Sequence, residues 1–175
     1  MTKWITFGIF AILIALFQIS FLFEFNIFNQ YLNLIVLMVV LFSILKDYKT
    51  ALIFAIISGL VLDIYSPFSF GIITLSLAAT VPVMHVIFIK FIAHKSIFTL
   101  ILAIIVSLLV YNLVLWSFTN IFYWLGWNDF TIKLNPSYLN NLIIQLAFQI
   151  ILMSIIYFSL KFIKTKFRNK FIFSV

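Results

Sequence analysis

The chain has 175 residues, of which 66% are hydrophobic and 9% are charged, whereas an ordinary soluble domain carries about 25% charged residues. So few charges cannot cover the surface of a water-soluble globule of this size, which excludes an ordinary cytosolic enzyme, a disordered regulator and a nucleic-acid binder. The absence of cysteine excludes a disulfide framework, a thiolate zinc site and a cysteine nucleophile.

Six apolar runs follow one another along the chain, and together they predict an all-α integral membrane bundle of six transmembrane helices. A spanning helix needs about 20 apolar residues, and its backbone must satisfy its own hydrogen bonds. The first run is expected to be an uncleaved span, because it does not end in the small residues of a signal-peptide cleavage site. The runs are Trp4–Phe23, Tyr31–Leu45, Thr50–Tyr65, Phe68–Ile89, Ile97–Leu125 and Tyr138–Leu160.

The basic residues predict the orientation of this bundle. If all six runs cross the membrane, ten of the 11 Lys and Arg residues fall on one side, and only Lys133 falls on the other. Because basic residues concentrate in cytoplasmic loops, both termini are expected in the cytoplasm. We therefore expect one membrane domain over residues 1–160, followed by a basic cytoplasmic tail over residues 161–175.

The third run contains, near its end, the acid that lies deepest in the apolar sequence, Asp63. An ionised carboxylate in a bilayer needs a partner or water. Ser66 and Pro67 have the pattern of an N-cap and a first helical residue, which places the positive end of the fourth helix near Asp63. Gly59 and Gly71 are expected to allow close helix approach. Asp63 then either fixes the helix hairpin or contacts a partner or ligand.

The last run carries a polar stripe. Asn141, Gln145 and Gln149 are four residues apart, so they share one helix face. Amides both donate and accept hydrogen bonds and hold membrane helices together. The stripe is therefore expected to bind within the bundle, with a partner interface or a polar ligand pocket as alternatives. Its predicted counterpart on the fifth run consists of Tyr111, Asn112 and Asn120.

The tail is basic and amphipathic. Basic residues near a membrane surface are attracted to anionic lipid, so the tail is expected to anchor on lipid, with a cytoplasmic partner as the alternative. These residues are Lys161, Lys164, Lys166, Arg168 and Lys170.

The sequence shows no pattern typical of catalysis. His85 and His94 have no acidic or histidine neighbours at metal-ligand spacing, and no phosphate loop or nucleophile motif is present. We therefore expect a protein that is not an enzyme and that needs no cofactor or metal. Pro82 lies inside the fourth run, where it is expected to kink the helix.

The stretch from Gly59 through Asp63 to Pro67, followed by Phe70–Gly71, resembles the rod shape-determining protein family MreD. The Phe17–Gln18 pair late in the first run, the length and the number of spans are also similar to that family. The resemblance extends over the whole chain in layout and over about 20 residues in motif.

The resemblance implies a non-enzymatic scaffold of the bacterial cell-wall elongation machinery, in the cytoplasmic membrane. It implies binding to MreC and organisation of the glycosyltransferase RodA and its transpeptidase, with MreB filaments beneath, and no binding of nucleic acid. The fold of the family also resembles the substrate-binding subunits of energy-coupling-factor vitamin transporters, so such a subunit is the alternative function.

Overall fold

The computed structural model describes the backbone of residues 2–24, 33–45, 48–91 and 97–172. Side chains are described at residues 6–20, 33–43, 48–86, 101–156 and 158–159. All regular structure in these ranges is helical. The helices are α1 (Thr2–Glu24), α2 (Leu34–Leu45), α3 (Tyr48–Tyr65), α4 (Ile72–Phe91), α5 (Ile97–Trp124) and α6 (Pro136–Ile172).

Within the described residues each predicted apolar run contains one helix, and three of these helices are long and apolar enough to cross a membrane. These three segments are Tyr48–Tyr65, Ile101–Trp124 and Pro136–Ile156. Shorter apolar segments lie in the other helices, at Thr6–Ser20, Leu34–Ser43 and Ile72–Val86. Helix α4 continues through Pro82, and α6 continues past the predicted end of the membrane domain to Ile172.

Helix α2 lies at the centre of the fold. It packs against α1, α3, α4 and α5, and its residues Ile35, Val36, Leu37, Val39 and Val40 are at most 1% exposed. This burial follows from its composition, because a helix that is hydrophobic all round has no face suited to water. At 1.5 Å per residue, α2 is about 18 Å long, which is shorter than the roughly 30 Å hydrocarbon layer of a bilayer.

Helices α3 and α4 form a closely packed hairpin. The face of α3 that is buried carries the small residues Ala51, Ala55, Ser58 and Gly59, which let neighbouring backbones approach. Helix α5 packs beside α4, and α6 packs mainly beside α5. Large apolar side chains on the outside of α1, α5 and α6 are exposed, which suits contact with lipid.

The buried serine and threonine hydroxyls in the described helices bond to their own helix. Ser58, Ser76 and Thr119 each donate to the carbonyl four residues earlier. Thr80 and Ser107 donate to the carbonyl three residues earlier. Because these bonds satisfy the hydroxyls locally, the buried polar residues that link different helices are a small set, and they form the site described next.

Candidate functional site: the interhelical polar residues Asp63, Gln18 and Gln149

The Asp63 side chain caps the start of α4 from the last turn of α3. Asp63 is 4% exposed, and its Oδ1 accepts the backbone N–H of Ile73 at 2.9 Å. Its Oδ2 accepts the backbone N–H of Thr74 at 3.1 Å and also the Thr74 hydroxyl. These N–H groups are among those that a helix cannot satisfy by itself, and a negative charge is stabilised there by the helix dipole. The prediction that the positive end of the fourth helix lies near Asp63 is confirmed.

Gly59 lies one turn before Asp63 on α3, and the α3 backbone there lies directly against Thr74 of α4. A Cβ atom at Gly59 would lie 2.7 Å from the Thr74 Cα and 3.2 Å from its Cβ. Only a glycine therefore fits against this part of α4 without a shift of the backbone. The predicted close approach at Gly59 is confirmed, and both Gly59 and Asp63 contact Thr74.

The turn before α4 differs from the prediction. The Ser66–Pro67 pair does not start the helix, which begins at Ile72. The Ser66 Oγ instead accepts the N–H of Phe68 at 3.0 Å, closing a local turn in which Pro67 is exposed. Asp63 takes the place of a local N-cap because it reaches the free N–H groups of α4 from the neighbouring helix.

Gly71 has a different role from the one predicted. A Cβ atom at this position would meet nothing within 4 Å, so close helix packing does not require glycine there. Its φ angle is +96°, a left-handed conformation that glycine adopts without steric cost. Gly71 therefore allows the left-handed backbone conformation of the turn that leads into α4.

Two turns meet at the end of the fold where α4 begins. The Ser69 hydroxyl donates to the Trp127 carbonyl at 2.5 Å and lies 3.3 Å from the Asn128 Oδ1. The rings of Phe68 and Phe130 pack with centroids 5.4 Å apart. The turn over residues 66–71 and the segment over residues 125–135 therefore form one surface.

A second set of polar side chains gathers at the start of α2. Gln18 of α1 accepts the N–H of Ile35 through its Oε1 at 3.0 Å, and Asn33 accepts the N–H of Val36 through its Oδ1 at 3.1 Å. Gln149 of α6 donates from its Nε2 to the Asn33 carbonyl at 3.1 Å. Gln149 is 1% exposed, and its Oε1 has no hydrogen-bond partner among the described residues. This cluster links α1, α2 and α6.

The predicted polar stripe of α6 divides into three environments. Gln149 is buried and binds within the fold, Gln145 is half-buried, and Asn141 is exposed. The amides of Gln145 and Asn141 make no hydrogen bond to any residue that the structure describes. The prediction that the stripe holds the bundle together is therefore correct for Gln149 alone.

Of the predicted counterpart of the stripe on α5, Asn112 and Asn120 do not bond to the stripe, whereas Tyr111 is buried beside Asn33, whose carbonyl accepts from Gln149. Asn112 donates to the Leu108 carbonyl at 2.9 Å, and Asn120 donates to the Trp116 carbonyl at 2.9 Å. Each amide thus bonds to its own helix one turn earlier, as polar side chains in helices often do. Asn112 also accepts a long hydrogen bond of 3.4 Å from the Tyr138 hydroxyl of α6.

The end of α5 presents an open apolar groove of about 600 Å³. The polar groups beside it are engaged elsewhere, since the indole N–H of Trp116 donates to the Ile132 carbonyl at 2.9 Å. The groove lies apart from Asp63, and its residues are Trp116, Ser117, Asn120, Ile121, Trp124 and Leu125.

The remaining sequence candidates lie outside this arrangement. The His85 ring packs against the ring of Tyr48 with centroids 5.0 Å apart. In the part of the chain that the structure describes, no three His, Asp or Glu side chains are grouped to hold a metal ion. His94 lies outside the described residues. So do the side chains of the basic tail, which are Lys161, Lys164, Lys166, Arg168 and Lys170.

Two residues of the site were not predicted from the sequence. Asn33 stands directly before the apolar run of α2, which is a recognisable N-cap position. Thr74 lies inside an apolar run and carries no local signal, because its role depends on the packing of α3 against α4.

In the comparisons with known proteins, no family model, no curated protein and no solved structure matches this chain.

Proposed function

We propose that this chain is a non-enzymatic membrane scaffold of the MreD type, which acts in bacterial cell-wall elongation by binding MreC. One observation carries the proposal. The residues on which the resemblance to that family rests act together in space, because Gly59 and Asp63 both contact Thr74. The motif thereby acquires a single physical role, which is to set the geometry of the α3–α4 hairpin.

The burial and the hydrogen bonds of Asp63 support a role in binding rather than in catalysis. Both of its carboxylate oxygens accept hydrogen bonds from α4, and the side chain is almost fully buried. A general acid or base must reach the proton that it transfers, and Asp63 is held away from the surface. Of the two roles left open for this residue, fixing the helix hairpin therefore has the better support.

We further propose that all six helices cross the bacterial cytoplasmic membrane, with both termini in the cytoplasm. The proposed partners are MreC, RodA, its transpeptidase and MreB filaments. The exposed apolar side chains of α1, α5 and α6 and the one-sided distribution of Lys and Arg support this arrangement. The joined turns at residues 66–71 and 125–135 then lie on the outer side.

The proposal is tested by recovery of MreC with a tagged form of this chain after coexpression in bacterial membranes. The wild-type chain should retain MreC, whereas an unrelated single-span protein should not be recovered. The Asp63→Ala variant should recover several-fold less MreC while it inserts to the same level, and the exposed Asp129→Ala variant should behave as wild type.

The two parts of the proposal fail separately in this experiment. Absence of MreC from the wild-type sample contradicts the proposed function. Equal recovery with wild type and with Asp63→Ala leaves that function standing and contradicts the role given to Asp63.

A further inference from the structure

Helix α6 is the least covered of the three long apolar helices. Only 11% of its span Pro136–Ile156 is buried inside the fold, compared with 39% for Tyr48–Tyr65 and 33% for Ile101–Trp124. The buried face of α6 is marked by Gln149 and Met153, of which Met153 packs in a cluster with residues of α2, α4 and α5. Most of the α6 surface is therefore available to lipid or to another helix.

The amide of Gln145 is poorly placed for lipid. Gln145 lies nine residues after Pro136, which is about 13 Å along the helix and therefore deep in a hydrocarbon layer of roughly 30 Å. It is half-buried, and it has no hydrogen-bond partner among the described residues. No water is available in that layer to satisfy a free amide, so Gln145 calls for a polar partner from outside the fold.

Gln145 belongs to a seam with the spacing of a coiled coil. The seam residues are separated alternately by four and three positions, which is the repeat that packs two helices at a crossing angle of about 20°. The seam lies beside the Gln149 face: its middle is half-buried, with Leu152 packed against the Met153 cluster, and its exposure rises to 58% at Ile155. Its members are Asn141, Gln145, Phe148, Leu152, Ile155 and Ser159.

We propose that two copies of this chain associate side by side through this seam, with Gln145 of one copy hydrogen-bonded to the same residue of the second. Two copies inserted in the same orientation are related by a two-fold axis along the bilayer normal, so residues at equal depth meet. A glutamine amide carries both a donor and an acceptor, so a like pair satisfies both reciprocally. The second copy is favoured as the occupant because the seam itself supplies the polar group that Gln145 requires.

Disulfide cross-linking tests this dimer cleanly, because the chain contains no cysteine. Ile155→Cys places a thiol in the seam, and Ile143→Cys places one on the opposite flank of α6. The two positions are matched in exposure, since the isoleucines are 58% and 64% exposed. Each full-length variant is oxidised in native membranes, and its mass is read on a non-reducing gel.

The Ile155→Cys variant should form a species of twice the chain mass, and the Ile143→Cys variant should form much less. Adding Gln145→Leu to Ile155→Cys should lower the dimer yield about threefold, the size expected for one interhelical hydrogen bond in a membrane. Adding Asn140→Leu, which lies outside the seam, should leave the yield unchanged. The amount of chain in the membrane is measured in parallel to confirm insertion.

Three results would overturn the proposal. Equal yields at positions 143 and 155 would show random collision. A cross-link from position 155 to a different protein would assign the seam to another partner, and a purely monomeric product would leave it facing lipid. The inference is independent of the proposed function, because MreC recovery and self-association are measured separately.

Discussion

Thr74 donates both its backbone N–H and its hydroxyl to the same carboxylate oxygen of Asp63, Oδ2. The other oxygen, Oδ1, accepts the N–H of Ile73. The end of α3 thus provides the N-cap of α4, and the two helices are joined by a cap that neither helix has alone. Gly59 permits this arrangement, because the α3 backbone lies directly against Thr74 at that position.

Replacing Asp63 should destabilise the fold through the loss of this cap. Asp63→Ala leaves two N–H groups of α4 without their acceptors, and we expect the free energy of unfolding to fall by about 2–4 kcal/mol. Asp63→Asn keeps one acceptor oxygen and should lose less. Unfolding in mixed micelles measures both changes. The exposed Asp129→Asn variant serves as the control, and an Asp63→Ala variant as stable as this control would contradict the capping role.

Two glycines provide a matched test of helix packing. Gly59→Ala places a methyl group 2.7 Å from the Thr74 Cα, and the resulting overpacking should cost about 1–3 kcal/mol of stability. Gly8→Ala meets its nearest neighbour, Ile57 Cδ1, at 3.6 Å, which is an ordinary contact. That variant should gain up to about 1 kcal/mol from the higher helix propensity of alanine. Thermal melting in detergent separates the two, and similar melting temperatures would argue against the α3–α4 contact.

Gln18 and Gln149 should respond differently to the same substitution. Gln18→Leu leaves the Ile35 N–H without its acceptor, at a cost of about 1–3 kcal/mol. Gln149→Leu removes one hydrogen bond together with the unpartnered Oε1, and the Asn33 carbonyl keeps its bond from the Leu37 N–H. Its cost should therefore be below about 1 kcal/mol. A larger loss of stability for Gln149→Leu than for Gln18→Leu, measured by denaturant unfolding, is the contrary result.

The six-span arrangement predicts which positions face the outside. A cysteine introduced at Asp129 should react with a membrane-impermeant maleimide in intact cells. Cysteines introduced at Lys49 and Lys170 should react only after permeabilisation, because both lie on the proposed cytoplasmic side. The cysteine-free wild-type chain gives the background signal. Reaction of positions 49 and 170 from opposite sides would mean that the number of spans is wrong.

Much of the helical layout could be predicted from the sequence, because charge-free runs and helices have the same physical origin in a membrane. The predicted runs Trp4–Phe23 and Thr50–Tyr65 agree within two residues with α1 and α3. The start of α4 was predicted too early, because Ser66 and Pro67 form a local cap pattern while the cap comes from Asp63. Sequence spacing does not show a cap that reaches across from another helix.

The site could be predicted only in part, since the depth of a side chain in the fold and the rotation of its helix depend on packing. Asp63 and Gly59 stand out as an acid and a small residue in an apolar stretch, and both lie in the site. The stripe on α6 shows that its amides share a face, but only packing determines that Gln149 is buried while Asn141 is exposed. For the same reason, Asn112 and Asn120 could not be distinguished in advance from partners of the stripe.

The most direct test of the account is to identify what binds the protein in its own membranes. A tagged chain is purified from native membranes in mild detergent, and the proteins that accompany it are identified by mass spectrometry. The proposed function predicts that MreC and the wall-elongation enzymes are recovered with the tagged chain. A transmembrane coupling subunit with two ATPases would contradict it and would instead assign the chain to an energy-coupling-factor vitamin transporter.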